Sequence, residues 1–155
     1  MIIFGYQIIL QAGQKNFGMK TLIITNELKE TEKVKEFLKK SLQGKNISEE
    51  EFYKIDLAVH EICVNIIRYA YPDRKGKIQL SVWEKDNKIY FKLVDEGIAF
   101  NPMETKKPDI NEVIKKGGRG GFGIFISKKF MDDFSYEREN GQNRVTMIKK
   151  INSSV

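Results

Sequence analysis

The stretch SEEEFYKIDLAVHEICVNIIRYAYP, residues 48–72, decides how this chain folds. Ser48 followed three residues later by Glu51 forms a capping box, which predicts a helix running to about Tyr69, and Pro72 stops it soon after. At 100° per residue, Phe52, Ile55, Val59, Ile62 and Ile66 fall on one apolar stripe, so this helix lies on a core. Glu61 and Asn65, four residues apart, share the flank of that stripe beside Ala58. A carboxylate at the border of a core can take a proton or orient an attacking hydroxyl. An amide oxygen beside it can ligate a hard cation such as Mg²⁺. Leu57 and Val64 lie off the stripe and are expected against another helix of the same domain, with a second contact surface as the alternative. Cys63, the single cysteine, sits among apolar neighbours and reads as a small buried hydrophobe.

Upstream, Leu22-Ile23-Ile24 is a short strand candidate, with Thr25 and Asn26 as caps for a following helix. From Glu27 to Leu42, Leu28, Val34, Phe37, Leu38 and Leu42 form a narrow apolar stripe among lysines and glutamates, and Gly44 ends it. Residues 1–18 hold a single charged residue, Lys15; they are expected as an N-terminal extension, with an extra strand or dimer arm as the alternative, and 19–155 as a single domain.

Downstream the period changes to two. Ile78, Leu80 and Val82, then Ile89, Phe91 and Leu93, alternate with other residues around Asp86-Asn87, which predicts a β-hairpin. From Glu96 to Lys116 no periodicity is sustained, so a long loop of the lid type is expected. Gly121 to Met131 resumes helical spacing, and Phe134 to Tyr136 with Val145 to Ile148 make a closing hairpin around Asn140-Gly141.

With 155 residues, 41% apolar and 31% charged, the chain has the makings of one compact domain, which excludes a disordered chain. No apolar run reaches the ~20 residues that a membrane-spanning helix needs, and Met1 to Leu10 makes a poor secretory signal, so a cytoplasmic protein is expected. One cysteine and one histidine, His60, exclude a disulfide framework and a multi-histidine metal centre. The 27 basic against 21 acidic residues suit a phosphate-bearing ligand or an acidic partner. They are interspersed with acids and lack an aromatic stacking motif, so direct nucleic-acid binding is not expected.

Two further segments bear on chemistry. Asp95-Glu96-Gly97-Ile98-Ala99 leaves a packed strand: the acid can accept a hydrogen bond from a ligand amine, and Gly97 lets a flat ring approach the backbone. Gly117-Gly118-Arg119-Gly120-Gly121-Phe122-Gly123 opens a helix, so its backbone amides can wrap an anion at a positive helix end, with Arg119 as a bidentate phosphate donor. The run satisfies G-x-G-x-x-G, yet no strand precedes it and no βαβ unit surrounds it, so a dinucleotide fold is not expected.

In this order, the three segments resemble the N, G1 and G2 boxes of the GHKL ATPase superfamily, which includes gyrase, MutL and the histidine kinases. The resemblance spans about Leu22 to Ile151, and within it residues 58–72 and 121–133 look most like the anti-sigma-factor serine kinase branch. It implies an α+β fold: a two-layer Bergerat sandwich, with a mostly antiparallel mixed sheet and helices on one face. It implies ATP and Mg²⁺ as cofactors, Glu61 as the catalytic base and Asn65 as the metal ligand. By the same resemblance Asp95 and Gly97 would bind adenine, and Arg119, Gly120, Gly121, Phe122 and Gly123 the phosphates. Where the G1 pattern has glycine this chain has Ala99. The function implied is an anti-sigma factor and serine kinase acting on a small anti-anti-sigma antagonist, as a homodimer. The alternatives are a non-catalytic nucleotide-dependent binding module and a histidine-kinase-type catalytic domain.

Overall fold

The computed structural model describes residues 2–3, 6–8, 18–101, 109, 111 and 123–151. Seven strands form one sheet: β1 (Ile2–Ile3), β2 (Tyr6–Ile8), β3 (Lys20–Thr25), β4 (Lys77–Lys85), β5 (Lys88–Asp95), β6 (Asp133–Glu139) and β7 (Gln142–Lys150). Their order is β1-β2-β3-β4-β5-β7-β6. Among the described residues the continuous α-helices are α1 (Thr31–Leu42), α2 (Glu49–Tyr69) and α3 (Gly123–Phe130).

Every pair among these strands is antiparallel, where a mostly antiparallel mixed sheet was expected. The reason is topological. β5 and β6 run the same way, and β7 enters between them and pairs with both, so the two parallel strands never touch. Of the first 18 residues, two short strands extend the sheet at the β3 edge, with Tyr6 opposite Leu22 and Ile8 opposite Lys20.

The central hairpin follows its alternation. Ile78, Leu80, Val82, Ile89, Phe91 and Leu93 are buried on one face, while Trp83 stacks on its cross-strand neighbour Tyr90, ring centroids 5.1 Å apart, on the other. Asp86 and Asn87 both take positive φ, 52° and 60°, as a two-residue turn matched to the strand twist demands. Asn140 and Gly141 repeat the device between β6 and β7.

α2 buries Ile55, Val59, Ile62 and Ile66 against this face, with Phe52 partly buried at its start. Ser48 Oγ accepts from Glu51 N at 3.1 Å and Glu51 Oε2 accepts from Ser48 N at 3.0 Å, so the capping box is complete. Leu57 and Val64 are half-buried. Cys63 is buried in the core, which pushes its thiol up to about 12.

Around α1 the outcome departs from the expectation. The helix starts at Thr31 after a short 3₁₀ turn, Leu28–Glu30, and its N-cap Glu30 makes no side-chain cap bond. Leu28 stands exposed, because the tighter turn rotates it off the stripe that buries Val34, Phe37, Leu38 and Leu42. Asn26 has a different task from capping. It donates to Arg74 O at 2.9 Å and accepts from Gly76 N at 3.0 Å, fastening the end of β3 to the loop that enters β4.

Candidate functional site

α2 crosses the sheet so that its last turns face the ends of β5 and β7. Between them lies a narrow, largely apolar cleft. Ile62, Asn65 and Ile66 line it from α2, Asp95 and Phe100 from the end of β5 and the segment beyond, and Asn143 from β7. The structure therefore brings Asn65 and Asp95 to one cavity from elements thirty residues apart in sequence.

Asp95 is buried. Its Oδ1 accepts two hydrogen bonds, from Gly97 N and from Asn143 Nδ2, each at 2.9 Å. Among the described residues no hydrogen bond reaches its Oδ2, the carboxylate oxygen that a donor in the cleft could use. Burial pushes the Asp95 carboxyl above its ordinary value, against the opposing pull of the Asn143 and Gly97 hydrogen bonds and the Arg138 charge.

Gly97 is glycine for a reason beyond the one its motif suggests. A Cβ there would lie 2.3 Å from Ala70 O and 2.5 Å from Ala70 Cβ, so the missing side chain makes room for the end of α2. Ile98 N donates to the same Ala70 O at 2.9 Å. Tyr71 completes the junction, its hydroxyl donating to Lys77 O at 2.6 Å and accepting from Glu96 N at 2.7 Å.

Glu61 is one turn before Asn65 on α2, and its carboxylate lies against the first residue of α3: a Cβ on Gly123 would come within 2.4 Å of Glu61 Oε2. Ser127 fixes this approach from α3, its hydroxyl shared between Ala58 O of α2 and Gly123 O, both at 2.9 Å. Arg119, Gly120, Gly121 and Phe122 lie outside the described residues, as does most of the loop expected from Glu96 to Lys116.

Sequence reasoning missed Asn143, Tyr136 and Arg138. Asn143 is 3% exposed and all four of its amide hydrogen-bonding positions are used: Nδ2 donates to Asp95 Oδ1 and, at 2.7 Å, to Ile98 O, while Oδ1 accepts from Tyr136 Oη at 2.7 Å and Arg138 Nη1 at 2.8 Å. The signal was present. Asn143 continues inward the two-residue period of Val145 and Met147, and a polar residue on the core face of a strand asks for partners.

Among the described residues no group of three or more His, Cys, Asp or Glu could hold a metal ion by itself. A divalent cation at Asn65 would need most of its ligands from a bound ligand and water, which is how Mg²⁺ is commonly held beside phosphates. No helix among the described residues is long and apolar enough to cross a membrane.

A two-layer α+β sandwich with a half-open cleft between α2 and the sheet, walled by one buried acid and two amides, has the form of a small-ligand-binding domain. Over residues 24–149 the chain matches the histidine kinase-like ATPase domain, and it belongs to that family. It is 28% identical over 108 residues to the anti-sigma F factor of Clostridium acetobutylicum, covering 65% of this chain and 71% of that protein. It is 25% identical over 96 residues to the serine/threonine-protein kinase BtrW of Bordetella bronchiseptica, covering 61% and 68%. With the serine-protein kinase RsbW of Bacillus mycoides the identity is 27% over 99 residues, 61% of each chain. Among solved structures, the fold resembles the RsbU and RsbW domains of a Mycobacterium tuberculosis protein (TM-score 0.57, 15% identity, 84% of this chain and 32% of that one). It also resembles the SiaB-SiaC complex of Pseudomonas aeruginosa (TM-score 0.52, 12% identity, 89% and 92%).

Proposed function

We propose that this protein is an ATP-binding regulatory serine kinase of the anti-sigma type, which binds a sigma factor in one state and phosphorylates a serine of a small antagonist protein in another. The observation that supports it most is the cleft acid: Asp95 is held by Oδ1 in the same cavity as Asn65, which follows Glu61 by one helical turn on α2. The names of the anti-sigma F factor, BtrW and RsbW relatives support the same reading.

In this reading Asp95 accepts from the exocyclic amine of adenine, and Gly97 keeps the turn close beside it. Asn65 would hold Mg²⁺ through its amide oxygen, and Arg119, Gly120, Gly121, Phe122 and Gly123 would hold the phosphates. Bound Mg-ATP supplies the phosphoryl group, with the metal offsetting the charge on its oxygens. Glu61 takes the proton from the serine hydroxyl of the antagonist, the one proton transfer that the chain itself performs. Because phosphoryl transfer is mostly positioning and charge stabilisation, this inventory suffices. The protein would act in the cytoplasm as a homodimer.

The test combines calorimetric titration with Mg-ADP and Mg-ATP and transfer of γ-phosphate to host proteins recovered with the chain. Binding of both nucleotides is expected, with Glu61→Ala keeping affinity within about threefold while transfer falls by about a hundredfold or more. Undiminished transfer by that variant removes Glu61 from the mechanism, and leaves a binding module or another base. Acid-labile autophosphorylation in labelled ATP alone favours the histidine-kinase alternative.

A further inference from the structure

The four hydrogen bonds of Asn143 are arranged by sign. On one side it faces two acceptors, Asp95 Oδ1 and Ile98 O; on the other it faces two donors, the Tyr136 hydroxyl and Arg138 Nη1. Rotating the amide by half a turn would set its oxygen against a carboxylate and a carbonyl, and its NH₂ against a guanidinium. That orientation would lose the bonds to Asp95, Ile98 and Arg138 and leave only the Tyr136 hydroxyl able to turn and accept.

Tyr136, half-buried, and Arg138, exposed, reach this position because they alternate along β6 onto the same face as buried Phe134, and Arg138 is the register partner of Asn143 itself. Arg138 Nη1 also donates to Gly97 O at 3.1 Å, so one guanidinium nitrogen joins the β6–β7 hairpin to the turn that follows Asp95. Neither residue is among those lining the cleft.

We propose that Tyr136 and Arg138 are positioning residues for nucleobase selection: as two donors outside the cleft they fix the orientation of the Asn143 amide, which ties down Asp95 Oδ1 and leaves Oδ2 as an acceptor aimed at an exocyclic amine. The inference rests on the nucleotide reading of the cleft. It assigns the preference for a base bearing an amine, over one bearing a carbonyl at the same place, to a chain of contacts that starts on β6. A carboxylate free to turn could accept from the ring N–H of the carbonyl-bearing base as well as from the amine of the other, and would also meet the carbonyl less squarely, so the selectivity depends on its being held.

The test is calorimetric titration of the whole chain with Mg-ADP and with Mg-IDP, which differ at the base in an amine against a carbonyl. The wild type is expected to prefer ADP. Tyr136→Phe and Arg138→Met, both of which keep bulk and remove a donor, are each expected to lower the ADP-to-IDP affinity ratio about threefold, and together about tenfold, with IDP affinity changing less than about twofold. Arg138→Lys, which restores a donor, is expected to recover most of the ratio. In the nucleotide-free protein the Asn143 side-chain NH₂ protons are expected to exchange slowly, and faster in the double variant. An unchanged ratio in the double variant overturns the inference, as does an equal loss of both affinities, which would mark these residues as structural only. Failure of the wild type to bind either nucleotide is a different result: it rejects the nucleotide reading of the cleft, and this inference with it.

Discussion

The carboxylate of Glu61 fills the space that a side chain on Gly123 would take, with Oε2 2.4 Å from where that Cβ would stand. A helix on the sheet and the start of another that begins at Gly123 are thus fitted to each other through an acid and an absent methyl. Gly123→Ala is expected to displace the Glu61 carboxylate rather than the backbone, since the nearest atom is the far end of a flexible side chain. Stability should change by less than about 1 kcal/mol, while phosphoryl transfer drops at least tenfold. Denaturant unfolding and single-turnover transfer measure the two. In the Glu61→Ala background the same substitution should cost nothing further in transfer, because its target is gone.

Gly97 predicts the opposite balance. Its Cβ would meet the carbonyl and Cβ of Ala70, at the end of α2, where a rigid backbone cannot yield as a side chain does. Gly97→Ala is expected to destabilise the fold by about 1–3 kcal/mol, read as a lower urea midpoint at unchanged slope. A midpoint equal to that of the wild type would show that the turn relaxes freely.

Asp95 links the cleft to pH. Burial raises its carboxyl above the ordinary value, so the folded state binds this proton more tightly than the unfolded chain does. Its contribution is most favourable below the ordinary carboxylate range and is lost as pH rises through the raised value. The Arg138 charge opposes the shift, and Glu96 and the Tyr71 hydroxyl stand close by. Asp95→Asn is therefore expected to gain stability relative to the wild type as pH rises from about 3 to 7, and to lose nucleotide affinity at every pH above that range. Thermal midpoints of both proteins across that interval check the first, and calorimetry the second.

The capping box of α2 gives a prediction independent of the cleft. Ser48→Ala removes the acceptor for Glu51 N and should cost about 1 kcal/mol. Nucleotide affinity should stay unchanged, since Ser48 lies at the far end of the helix from Asn65.

How much of this could be read from residues alone depends on the range of the interaction. Ser48 with Glu51, the Asp86-Asn87 turn and the alternation of Ile78 to Leu93 are local, each set by neighbours within a few positions, and each was legible. Asn26 misled because its local signal as a good cap was overridden by partners far along the chain, Arg74 and Gly76, and Leu28 because a 3₁₀ turn interrupts the helical register that its apolar spacing suggested. Glu61, Asn65 and Asp95 could be singled out by order and type. Asn143 carried a signal, a polar residue in an inward row, but its link to Asp95 could not be read, because the two meet only when β7 lies beside β5, a pairing set by topology.

That same insertion of β7 between β5 and β6 bears on how the protein is made. During synthesis, β3, β4 and β5 can pair as they leave the ribosome, but β5 keeps an open edge until residues 142–150 have emerged, and β6 has no neighbour in the sheet before then. The acid at the end of β5 gains Asn143 in that last step. A nascent chain arrested before residue 142 would expose a bare strand edge, and is the form that chaperones would most need to shield.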